Sequence, residues 1–141
     1  MSPSEVDPVA SAAASSPVRK ANILLVEDDP DSAELMSQIL EIEGYRVQRL
    51  ASGLKALEQA SNGDIDLILL DVMLPGVDGF EVCHRMRQEP LTASLPIVLV
   101  SAKGRREDID TGLRVGANAY MTKPLSRHDL LSTVKKLLEA A

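Results

Sequence analysis

The chain has 141 residues and is 45% hydrophobic, enough for one domain with a packed core and short for two. With a net charge of −6 and only Tyr45, Phe80 and Tyr120 as aromatic residues, it lacks the basic surface and stacking rings of a direct nucleic-acid binder. Cys83 is the single cysteine, which excludes an intrachain disulfide or a thiolate metal cluster and suits a reducing, cytoplasmic setting, and no apolar run approaches the roughly 20 residues that span a bilayer.

Residues 1–20 are Ser, Ala and Pro with a few charges and no periodicity, and read as a disordered tail ahead of a domain covering 21–141. Glu5, Asp7 and Pro8 break any apolar stretch there, so the tail is not a signal peptide. Residues 22–26 predict a buried strand that ends in Glu27-Asp28-Asp29-Pro30. Asp29 followed by Pro30 is a helix start, with the acid as cap and proline in the first turn. Leu35, Met36, Ile39 and Leu40 then recur at helical spacing until Gly44. Residues 45–50 alternate, as a strand nearer the sheet edge does. Ser52 caps a second helix, with Leu54, Leu57 and Ala60 expected to face inward, and Asn62-Gly63 closes it.

The next stretch organises the chain. Leu67-Ile68-Leu69-Leu70 is too short for a helix and has no polar alternation, so it reads as a strand buried on both faces of a parallel sheet. Asp71 follows it, and Pro75-Gly76 breaks the chain soon after. A carboxylate at the carboxyl end of a central parallel strand stands in the crevice where open α/β sheets bind ligands. Asp78-Gly79 opens a third helix, with Phe80, Val82, Cys83 and Met86 available to the core, and Pro90 marks its end. Residues 96–100 form another buried strand, terminating in Ser101-Ala102. The helix near 105–114 is polar, with only Ile109, Leu113 and Val115 as an apolar stripe, and is expected to be the least firmly packed. Residues 118–121 make a short last strand leading to Thr122-Lys123-Pro124. Ser126 caps a final amphipathic helix carrying Leu130, Leu131, Val134, Leu137 and Leu138. Five strands alternating with five helices predict an α/β, doubly wound parallel sheet with right-handed crossovers.

The residues that follow the buried strands converge. Glu27 and Asp28, Asp71, Ser101 and Lys123 all lie at strand carboxyl ends, and in a parallel sheet those ends share one edge. Three carboxylates do not crowd together ionised without counter-charge, and Lys123 supplies a single positive charge. Oxygen ligands without neighbouring His or Cys favour Mg²⁺ over zinc. Each residue alone also reads as a cap, a loop hydroxyl or a surface lysine; five on one edge do not.

Residues 23–29, the run Leu70-Asp71 to Asp78-Gly79, Ser101-Ala102-Lys103 and Tyr120-Met121-Thr122-Lys123-Pro124 together resemble the receiver domain of two-component response regulators, over about residues 21–141. The resemblance implies a (βα)5 flavodoxin-like fold with strand order 2-1-3-4-5. It implies Asp71 as phosphoacceptor, Asp28 as a direct Mg²⁺ ligand, Glu27 as a ligand through water, and Met73 as a ligand through its backbone carbonyl. Ser101 would bond the phosphoryl oxygen, Lys123 would pair with Asp71 and then with the phosphoryl group, and Tyr120 would act as a switch. It also implies a cis Lys123-Pro124 bond. The implied partners are a sensor histidine kinase or histidine phosphotransfer protein and a downstream effector. The output surface is expected on the fourth helix, fifth strand and fifth helix.

Two further readings compete. A Mg²⁺-dependent aspartate-nucleophile phosphatase would want a second acid two residues after its nucleophile, where this chain has Met73. A receiver-shaped binding module that is never phosphorylated would not need the full acid, serine and lysine set. His84 and His128 read as solvated helix-surface residues. The expectation is a monomer, either a stand-alone receiver or part of a longer regulator or hybrid kinase. Met73 cannot orient an attacking water as an amide does, so slow loss of the phosphoryl group is expected.

Overall fold

The computed structural model describes residues 20–140. The tail expected over 1–20 lies outside the described residues except for Lys20. Ten elements follow in strict alternation: β1 (Asn22–Val26), α1 (Pro30–Ile42), β2 (Arg46–Leu50), α2 (Gly53–Ala60), β3 (Leu67–Asp71), α3 (Gly79–Gln88), β4 (Ile97–Ser101), α4 (Arg106–Arg114), β5 (Ala119–Thr122) and α5 (Arg127–Ala140). The strands form one sheet in the order β2-β1-β3-β4-β5, and every neighbouring pair is parallel.

Strand position follows from strand composition. β3 and β4 are buried at every residue and occupy the interior, whereas β2, whose polar residues alternate, lies at an edge. Successive side chains point to opposite faces, so each central strand feeds two cores. Leu24, Val26, Ile68, Leu70 and Leu99 pack with Ala56, Val82 and Met86 on one face. Ile23, Leu25, Leu67, Leu69, Val98 and Val100 pack with Met36, Leu40, Leu130 and Val134 on the other. Truncating one of these fully buried leucines to alanine removes about 2–5 kcal/mol, a large share of a small domain's stability.

The capping residues act where the sequence places them. Asp29 accepts from Ser32 N–H at 3.1 Å, Asp78 from Phe80 N–H at 2.8 Å, and Ser126 Oγ from Asp129 N–H at 3.0 Å. The apolar stripes differ from expectation in a consistent way. Leu54 is 60% exposed, and Leu35 and Leu113 are exposed too. The contact positions belong instead to small residues: Gly53, Ala56 and Ala60 in α2, Ala33 in α1 and Gly112 in α4. A Cβ on Gly53 would lie 2.6 Å from Val77 Cγ1, so the helix approaches too closely for a leucine to face inward. Gly112 is the sole buried residue of α4, in line with a lightly packed helix.

At the amino ends of β4 and β5, Arg87 binds three segments together. Its Nε donates to the Gly116 carbonyl at 2.8 Å, its Nη1 to the Thr92 and Leu95 carbonyls at 3.2 and 2.8 Å, and its Nη2 to Asn118 Oδ1 at 2.8 Å. Asn118 Oδ1 also accepts from Ile97 N–H at 2.8 Å. The end of α3, the start of β4 and the turn into β5 are thereby tied at one point.

Candidate functional site

Parallel strands end on a common edge, and the chain leaves β1, β3, β4 and β5 there. Lys123 Nζ donates to Glu27 Oε1 at 2.6 Å and to Asp71 Oδ2 at 3.0 Å, joining residues 96 and 52 positions away in the chain. Glu27, Asp28 and Asp71 each offer a carboxylate oxygen, all within 4.8 Å of one another. Glu27 and Asp71 are buried, while Asp28 faces out. Three close acids with oxygen donors and no His or Cys among them suit a hard divalent cation such as Mg²⁺.

Backbone groups orient the acids. Glu27 Oε2 accepts from Asp29 N–H at 3.1 Å, and Asp71 Oδ1 from Met73 N–H at 2.8 Å. The loop carrying Met73 folds back on β3 because α3 starts with glycine. Gly79 N–H donates to the Val72 carbonyl at 2.9 Å. A Cβ on Gly79 would collide with the Asp71 carbonyl oxygen and lie 2.6 Å from Val72 Cα. Any larger residue would push the loop off the acid it positions.

Burial raises the pKa of Glu27; the Lys123 ammonium and the Asp29 N–H pull it back, and Asp71 adds to the rise. Burial alone would lower the pKa of Lys123, but its hydrogen bonds to Glu27 and Asp71 outweigh that and the net direction is up. The lysine is therefore firmly protonated and its charge belongs to the two acids.

Ser101 ends β4 fully buried, in register with Thr122 of β5. Its Oγ accepts from Lys103 N–H at 3.1 Å. The Tyr120 hydroxyl donates to the Lys103 carbonyl at 2.6 Å, and its ring lies 6.5 Å from that of Phe80 at 26°. Burial raises the Tyr120 pKa. The structure thus holds Glu27, Asp71 and Lys123 in direct contact with Asp28 close by, and separately links Ser101 to Tyr120 through Lys103. The Lys123-Pro124 bond is cis. Met73 is 54% exposed and, with Asp28, Pro75 and Lys103, lines an open groove.

The sequence shows Lys103 only as the end of the Ser101-Ala102-Lys103 motif, with no sign that its backbone joins Ser101 to Tyr120. Sequence reasoning took Gly79 as a helix opener and did not see its contact with Asp71. A backbone role leaves no residue-type signal beyond the glycine itself.

Residues 23–135 match the family described as the response regulator receiver domain. The DNA-binding dual master transcriptional regulator RpaA of Synechocystis is 42% identical over 116 residues, covering 82% of this chain and 48% of that protein. Response regulator PleD of Caulobacter vibrioides is 39% identical over 117 residues, 83% of this chain and 26% of PleD. The chain therefore spans about half or less of these curated relatives. Among solved structures, a putative response regulator from Chloroflexus aurantiacus superposes with a TM-score of 0.82 at 40% identity, covering 86% of this chain and 99% of that one. The receiver domain of the sensor histidine kinase PA1611 from Pseudomonas aeruginosa, with magnesium ion coordinated in its active site cleft, gives 0.79 at 31% identity, with 85% and 98% covered. No described helix is long and apolar enough to cross a membrane.

Proposed function

Because the chain belongs to the response regulator receiver domain family, we propose that it is a phosphorylation-activated receiver of a two-component phosphorelay, with Asp71 as the phosphoacceptor. The observation that carries this reading is Lys123 held between Glu27 and Asp71. It places a cation against the buried Asp71 carboxylate, next to Asp28, which lines an open groove. The donor is a sensor histidine kinase or a histidine phosphotransfer protein, and the setting is cytoplasmic.

An Asp71 oxygen attacks phosphorus in line as the bond to the donor breaks, and the donor group departs with the bonding electron pair. Little covalent assistance is needed; positioning and charge neutralisation carry the step. Met73 N–H fixes one Asp71 oxygen and Lys123 neutralises the other. Asp28, Asp71, the Met73 carbonyl and, through water, Glu27 would hold Mg²⁺, which when bound supplies positive charge at the phosphoryl oxygens. Lys123 follows the new charge, and the Ser101 hydroxyl turns from the Lys103 N–H to donate to a phosphoryl oxygen. An aspartyl phosphate brings added negative charge, of order −1.5 to −2 as in other phosphorylated side chains. Moving Ser101 loosens its bond to the Lys103 N–H, and the Tyr120 hydroxyl bonds the carbonyl of that same residue. The displacement thus passes to α4 and β5, and with α5 these form the face that docks an effector.

The test is acetyl phosphate with Mg²⁺, read by intact mass. One phosphoryl group per chain is expected, absent in Asp71→Asn. Labelling that persists in Asp71→Asn, or none in the wild type, would overturn the assignment. Sustained turnover of a small phosphomonoester would favour the phosphatase reading instead, against which Met73 stands where a second acid belongs.

A further inference from the structure

Helix α4 crosses the sheet on a glycine. Gly112 is its only buried residue. A Cβ there would lie 2.8 and 3.2 Å from Tyr120 Cδ2 and Cε2 and 2.9 Å from Leu99 Cδ1, inside normal contact distances. Glycine is a poor choice for a helix interior, since it loses the most backbone freedom on folding. Its presence at the point of contact calls for a packing reason, and the Tyr120 ring occupies the space it leaves.

The ring is held on two further sides. Phe80 faces it at 6.5 Å, and its hydroxyl donates to the Lys103 carbonyl at 2.6 Å. The N–H of that same residue donates to Ser101 Oγ at 3.1 Å. The ring under α4 and the Ser101 hydroxyl at the end of β4 are thus joined through Lys103.

We propose that Gly112 is a positioning residue: the notch it leaves in α4 seats the Tyr120 ring, and the size of residue 112 sets how tightly the Asp71 edge is coupled to the face formed by α4 and β5. This rests on the reading of Asp71 as phosphoacceptor. A side chain at 112 must displace the helix, the ring or the Leu99 side chain, and Leu99 is fully buried in the core. The helix is pinned just beyond its end, where Arg87 donates to the Gly116 carbonyl at 2.8 Å and where a Cβ on Gly116 would lie 2.6 Å from Arg87 Cγ. Tyr120 lies on an edge strand and is only partly buried, so it has room to turn outward. The ring yields, and its bond to Lys103 goes with it.

The 141-residue chain carrying 3-fluorotyrosine reports the ring directly by ¹⁹F NMR, with Tyr45→Phe assigning the two resonances. Gly112→Ala should move the Tyr120 resonance towards the solvent-exposed value and abolish its response to beryllofluoride, while acetyl phosphate still labels Asp71 to the wild-type extent. A stability cycle makes the test independent of any ligand. Gly112→Ala should lower the denaturation midpoint more in the wild type than in Tyr120→Ala, where only the Leu99 contact opposes the helix preference for alanine. An effect of the same sign and size in both backgrounds, or an unmoved ¹⁹F resonance in folded Gly112→Ala, overturns the inference. Failure of the wild type to label at Asp71 would instead remove the functional reading, and the stability cycle would still judge the notch.

Discussion

At one edge of the sheet Lys123 faces two buried carboxylates; at the other Arg87 faces four neutral oxygens. Both cations draw together segments distant in sequence, yet they do opposite things. The guanidinium finds three backbone carbonyls and one amide oxygen in directions its planar fork already points, so its donors are used up and the joint is closed. The ammonium is a compact charge on a flexible stem, shared between acids that a metal ion and a phosphoryl group would compete for. One edge is closed by neutral acceptors, while the other keeps charged groups in contact.

Lys123→Met should break this contrast most visibly. Loss of the cation held between Glu27 and Asp71 is expected to slow labelling by acetyl phosphate about 100-fold or more, measured as a time course of intact mass. It also strands Glu27 and Asp71 together in a buried place. Mg²⁺ should then raise the thermal midpoint of the variant more than that of the wild type.

Arg87→Met tests the closed edge. Three part-buried carbonyls lose their donor at once, and a destabilisation of about 2–3 kcal/mol is expected from urea unfolding. The initial rate of Asp71 labelling should stay at the wild-type value under folding conditions. A fall in rate matching the Lys123 variant would show that the two edges are not independent.

A smaller effect sharpens the same comparison through pH. Burial pushes the Cys83 thiol, beside Arg87, up from 9.0 to about 11. The unfolded thiol ionises first, so stability should decline as pH rises from 9.0 to about 11, and Cys83→Ala should flatten that part of the profile. Lys123, raised above its ordinary 10.5, adds stability that is present below that pH and lost above it. Urea midpoints measured from pH 8 to about 11 in the two variants separate the contributions.

The smallest change concerns the rim of the groove. Met73→Asn offers an amide able to orient water, and the phosphoprotein is expected to decay a few-fold faster, followed by mass after removal of acetyl phosphate. An unchanged decay would remove Met73 from the tuning of lifetime.

Most of the architecture was open to reading before any coordinates. The unbroken apolar runs at 67–70 and 97–100 mark interior strands, the alternation at 46–50 marks an edge, and Asp29, Asp78 and Ser126 mark helix starts. Each is a signal confined to neighbouring residues, written by burial periodicity and by the orphan donors of a helix end. The strand-end residues Glu27, Asp28, Asp71, Ser101 and Lys123 were legible as a group for the same reason, since parallel strands leave their last residues on one side. Tertiary structure alone decided which atoms meet: that Lys123 bridges Glu27 as well as Asp71, that Leu54 and Leu113 face out while Gly53 and Gly112 face in, and that Arg87 and Lys103 tie distant segments through their hydrogen bonds. Those outcomes depend on how closely two elements approach and on which backbone groups are left without partners, and both are properties of the assembled layers, not of any stretch of chain.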